Sequence, residues 1–161
     1  MNRYRIAGGL VAILVALLAG TPAYPFAHLW EINEIFTNHD GTVQFIEMKT
    51  PVGANLETQM TGQTLRATST VGGVVQPQVI FTFPGPNLVS PTGNKHLLIA
   101  TSTFAAQAGS VTPNYNTLPA NFFVPNADSI VFTFPPAFSP PETFTLAGSA
   151  IPKDGVNSVT D

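Results

Sequence analysis

Apolar and polar positions in this chain alternate over short stretches punctuated by Pro, Gly, Asn and Asp, and beyond the amino-terminal segment no stretch carries a helical period. HLWEINEIF (28–36) and TVQFIEMKT (42–50) predict two strands, with Asp40-Gly41 between them as a hairpin turn, because both positions tolerate positive φ. A turn at 51–55 leads to a more polar third strand over 58–68, interrupted at Gly62, and then to a Gly/Val/Gln connection at 69–77. The runs at 79–83 and 96–101 are β-rich and too short for ordinary helices, and the Pro, Gly and Asn residues between them would break one. The segment 79–104 therefore supplies two central strands and a shaped link. From 104 to 123 no period is visible, which predicts a long crossing connection with short extended pieces. SIVFTF (129–134) and TFTLA (143–147) are further strands around a rigid link carrying Pro135, Pro136, Pro140 and Pro141. Residues 156–160 form a last edge strand. Seven to nine strands, each too short to bury a core alone, predict two packed antiparallel sheets, with a barrel as the competing architecture.

The amino-terminal segment breaks this pattern. Arg3 and Arg5 precede an apolar run over 6–19, and Thr21 and Ala23 put small side chains before a cut after Ala23, so 1–23 reads as a secretory leader and 28–161 as the folded domain. The apolar run is shorter than the ~20 residues that span a bilayer. An uncleaved leader would be the one route to a membrane.

Composition narrows the function classes. At 161 residues the chain has room for one domain with a sizeable core. Charged residues are 9% against 44% hydrophobic, which excludes charge-driven disorder. The formal net charge of −3 becomes −5 if the leader takes Arg3 and Arg5 with it, leaving four basic residues against nine acidic ones. Those four, Lys49, Arg66, Lys95 and Lys153, are scattered along the chain, so nucleic acid is not an expected partner. With no cysteine there are no disulfides, thiolate nucleophiles or Cys-ligated zinc.

Candidate chemistry is sparse, and no catalytic residue is assigned. If Asp40-Gly41 forms a two-residue turn, Phe36 pairs with Phe45 and Glu34 with Glu47, which sets two carboxylates opposite each other on one sheet face. Such a pair calls for a bound cation such as Ca2+, a shared proton, or side chains splayed into solvent. A longer loop would shift the register and keep them apart. The histidines, His28, His39 and His96, have no metal-ligand spacing, and Gly-x-Ser-x-Gly is absent. Most aromatics on the strands are expected in the core, Phe26 and Trp30 included. Phe104, Tyr115, Phe122 and Phe123 flank or lie in the irregular connection and form either a loop patch for a partner or a lid over the core.

The order INEI, DGTVQFIEM, MTGQTLR, FTFP and GNKHLLIATSTF, running from about residue 30 to 105, resembles that of the lamin tail domain. The matching positions are Ile32, Glu34 and Ile35, then Phe45, Ile46 and Glu47, then Gly62, the Phe83-Pro84 pair, and the apolar run 96–100. Gln63 and Thr64 stand where the family usually has a small turn residue and a tryptophan. The resemblance implies an immunoglobulin-like sandwich acting as an interaction module, without active-site residues to carry over. The expected function is thus an exported, non-catalytic binding or structural module that meets a protein or envelope component. The competing classes are a small metal-dependent hydrolase using Glu34, Glu47, Asp40 and His39, and an envelope protein that self-associates through an edge strand.

Overall fold

The computed structural model describes residues 27–134 and 141–160, and the leader, Phe26 and most of the proline link lie outside them. Among the described residues ten strands make two sheets. The first is ordered β10 (Val159–Thr160), β1 (Glu31–Thr37), β2 (Gln44–Lys49), β6 (His96–Thr101) and β7 (Tyr115–Leu118). The second is built on β3 (Thr64–Val71), which pairs along one side with both β4 (Val74–Val75) and β5 (Val79–Thr82), and continues through β8 (Ser129–Phe134) to β9 (Glu142–Ala147). Every pairing is antiparallel except β6 with β7, which is parallel. A single-turn helix, α1 (Ser102–Ala105), starts the crossover that makes it so, capped by the Thr101 hydroxyl accepting from Phe104 N. The predicted all-β sandwich is what the chain adopts.

Alternation decides which side chains enter the core. Ile46 and Met48 of β2, Leu97 and Ile99 of β6, Leu65 and Ala67 of β3, and Ile130, Phe132 and Phe134 of β8 point between the sheets and are buried. Loop residues close the ends, with Trp30, Met60 and Phe83 buried alongside them. The interior rings meet edge to face, as between Phe83 and Phe134 (6.0 Å) and between Phe123 and Phe132 (5.2 Å).

Several predicted boundaries change. The third strand begins at Thr64, since Gly62 sits in a turn with φ +81° and 58–61 forms part of a loop. The 69–77 connection contains a tight hairpin instead, in which Gly72 and Gly73 both have positive φ and join β3 to β4. The crossing connection holds α1 and β7, and the last strand is only the pair Val159–Thr160 on β1.

The base of the sandwich is tied by a polar knot. Glu57, 4% exposed, accepts from Leu29 N through Oε2 (3.1 Å) and from the Trp30 indole through its carbonyl (2.8 Å). Thr92 donates to the Ala54 carbonyl (2.5 Å) and accepts from Glu57 N (3.0 Å), while the Thr50 hydroxyl donates to the Thr92 carbonyl. These bonds fix the 51–60 and 90–95 loops to each other.

Candidate functional site

The hairpin that raised the carboxylate question has the register in which Glu34 faces Glu47 and Phe36 faces Phe45. The turn itself is wider than two residues, with Asn38 N donating to the Val43 carbonyl (2.9 Å). Asn38 and Asp40 spend their side chains inside it. The Asn38 Oδ1 accepts from Val43 N (3.0 Å), and Asp40 Oδ1 accepts from both the amide (3.0 Å) and the hydroxyl (2.6 Å) of Thr42. Those Thr42 bonds hold the Asp40 carboxyl below its ordinary value. His39 projects from the same turn and is exposed.

A bulge at Asn33 bends β1 beside the glutamates. Asn33 Nδ2 donates to Glu47 Oε1 (2.6 Å), and His96 Nδ1 lies 2.8 Å from the same oxygen. Glu34 turns the other way and accepts from the Ser158 hydroxyl. The like charges are thus served by separate neighbours. His96 is the residue that sequence reasoning missed here; it lies diagonally across from Glu47 on β6, and nothing local in the sequence says that β6 is the neighbour of β2. Among the described residues no group of three or more His, Asp or Glu side chains is placed to hold a metal ion. Two carboxylates that face separate donors, with an imidazole and an amide nitrogen beside one of them, do not make the six to eight oxygens that Ca2+ takes. Beside them the outer face carries a row of rings, with Phe36 stacked on Phe45 (5.2 Å) and Phe45 edge-on to Phe104 (5.3 Å).

The proposed loop patch divides. Phe122 and Phe123 are 0% and 1% exposed and belong to the core, so neither reaches a partner. The lid alternative is the correct one for these two, because 121–125 folds across the open end, with Asn121 N bonded to the Gly41 carbonyl (2.9 Å) and Val124 N to Ser69 Oγ (3.0 Å). Phe104 and Tyr115 stay half-buried but in different surroundings, Phe104 on Phe45 and Tyr115 against Phe81 and Phe83.

Tyr115 lines a cleft of about 390 Å³, bounded by residues 84–89 after β5 and by 114–117 around β7. Its ring meets Phe83 edge to face at 5.3 Å and Phe81 at 6.1 Å, and burial pushes its phenol above the ordinary value. The opposite wall is fixed. Asn87 Oδ1 accepts from Thr61 N (2.8 Å), Asn87 Nδ2 donates to Gln59 Oε1 (2.6 Å), and Leu88 N donates to the Thr58 carbonyl (2.9 Å). A smaller cleft of about 180 Å³ adjoins at Leu88, Val89 and Asn114 and runs on to Lys95 and His96. The cleft had no local signal in the sequence, since it forms where the edges of two sheets meet. No family model, no curated protein and no solved structure matches this chain.

Proposed function

We propose that this protein is an exported, non-catalytic binding module of the cell envelope or extracellular space, a lamin-tail-like sandwich whose ligand-facing feature is the Tyr115 cleft. The observation that carries the reading is the preformed cleft, whose 84–89 wall is pinned by main-chain and amide hydrogen bonds before any ligand arrives. The hydrolase alternative has the Glu47–His96 contact in its favour, yet Asp40 is committed to its own turn and His39 stands apart from Glu47 in the register.

Capture of envelope fractions on immobilised protein tests the proposal. Retention of a component that is lost with Tyr115→Ala, while the β-type circular dichroism is kept, supports a binding module. Turnover of that component on incubation would move the protein to the hydrolase class. Concentration-dependent sedimentation with no retained component would move it to the self-associating class.

A further inference from the structure

The lining of the cleft narrows what can occupy it. No Asp, Glu, Lys, Arg or His stands among the residues around it, and the Tyr115 phenol, raised by burial, is neutral at pH 7, although the chain as a whole carries a net charge of −3. A charged ligand would give up water there without a counter-charge. A wholly apolar ligand would instead strip water from amides and hydroxyls and return nothing.

Asn114 Oδ1 is held by Leu98 N at 2.8 Å, and among the described residues no hydrogen bond occupies its Nδ2 at the cleft's edge. Asn116 and Thr117 are exposed on β7, and among the described residues no hydrogen bond occupies the Asn116 amide. Between them the Tyr115 ring is braced from behind by Phe81 and Phe83. A braced aromatic face beside one held and one unbonded amide suits a ligand with an apolar C–H surface ringed by hydroxyls. An extended peptide is the weaker fit, because β7 offers an edge of only four residues for main-chain pairing.

We infer that the cleft binds a neutral sugar, with one ring against Tyr115 and its hydroxyls served by the Asn114 and Asn116 amides. The inference rests on the reading of this cleft as the ligand-facing feature. The adjoining furrow past Leu88 and Val89, which runs on to Lys95 and His96, gives a second sugar unit room to follow the first and puts the nearest charged side chain at that second position.

The test is amide-resolved NMR titration of the purified protein with three neutral disaccharides, N,N′-diacetylchitobiose, cellobiose and maltose, and separately with a proline-rich peptide. At least one disaccharide is expected to give saturable shifts at Tyr115 and Asn116. Asn116→Ala is expected to weaken that binding about tenfold, one good hydrogen-bonding contact's worth. Tyr115→Phe keeps the platform and its packing and is expected to retain binding, whereas Tyr115→Ala abolishes it. Saturable sugar binding that ignores Asn116→Ala overturns the inference. Saturation by the peptide alone, at the same residues, overturns the sugar and leaves the binding-module reading standing. No response to either overturns both.

Discussion

Gly41 has φ +73°, and a Cβ there would come within 2.2 Å of Asn121 Oδ1, so a side chain at 41 both strains the turn and displaces the Asn121 amide where the hairpin meets the 121–125 lid. Gly148 is tighter still without an unusual φ, since its Cβ would sit 1.7 Å from the Ala127 carbonyl oxygen. Gly62, with φ +81° and open space around it, separates the two costs. Gly62→Ala and Gly41→Ala are each expected to lose about 1 kcal/mol from backbone strain, whereas Gly148→Ala meets main chain and costs overpacking of about 1–3 kcal/mol, readable as lower urea midpoints. The titrating residues behave as simply. Asp40 and Asp154 are both held below 3.8 by turn hydrogen bonds, Asp154 first by the backbone amides of Asn157 and Val156. A carboxyl with a lowered folded value binds fewer protons folded than unfolded, so its contribution is complete above 3.8 and vanishes as the pH falls through the lowered value. Melting temperature is therefore expected to drop on acidification below about pH 4, and more shallowly in Asp154→Asn. Tyr115 has the opposite sign. Its value is raised above 10.0 by burial, so the stability it contributes is intact below 10.0 and declines as the pH rises beyond it.

The elements legible beforehand were those whose signal is local. SIVFTF is a strand over the whole predicted range because its β-branched and aromatic residues alternate, and so is the run at 96–101, because a continuous apolar stretch that short, bounded by turn formers, suits a buried strand. The Glu34–Glu47 register was legible too, since widening the turn from two residues to four about the same centre preserves the pairings from Thr37 back to Glu34, up to the bulge at Asn33. What could not be read was set by contacts distant in sequence. The pair Val74–Val75 is a strand only because β3 lies beside it, and Tyr115–Leu118 only because the chain returns parallel to β6. The Asn33 bulge matters for the same reason, as it brings a side-chain amide to Glu47 that regular alternation would send elsewhere. With Asn33 and His96 on Glu47 and Ser158 on Glu34, each of the facing carboxylates has a protein partner of its own. Calcium is accordingly expected to leave the melting temperature unmoved in the wild type and in Glu47→Gln. A rise that saturates with calcium and disappears in Glu47→Gln would show that the two glutamates do share an ion.

At the scale of the molecule, the core is one continuous cluster that draws on both sheets and on the loops closing their ends. That continuity explains why the fold was readable when the aromatic patch was not. Strand alternation marks Ile46, Met48, Ile130 and Phe132 as interior whatever the topology, whereas Phe122 and Phe123 lie in a segment without period, where only the path of the chain decides between lid and surface. The path is fixed by Gln44, itself fully buried at the rim of the core, whose Nε2 donates to the Phe123 carbonyl at 2.8 Å and to Thr37 Oγ1 at 3.1 Å. One amide thus ties the lid to both strands of the first hairpin. If the lid is part of the core, Phe123→Ala removes a ring that packs on Phe132 and should cost about 3–5 kcal/mol, as much as Phe132→Ala itself. Because the two rings share a contact, their losses should not add. The double variant is expected to fall short of the sum of the single ones by about 0.5–1.5 kcal/mol, the worth of an aromatic pair, in a urea double-mutant cycle. Phe104→Ala, on the outer row of rings, should cost markedly less, since its ring is only half covered and leaves no cavity between the sheets. A Phe123→Ala variant as stable as the wild type would mean that the 121–125 segment rides on the surface and that the sandwich closes without it.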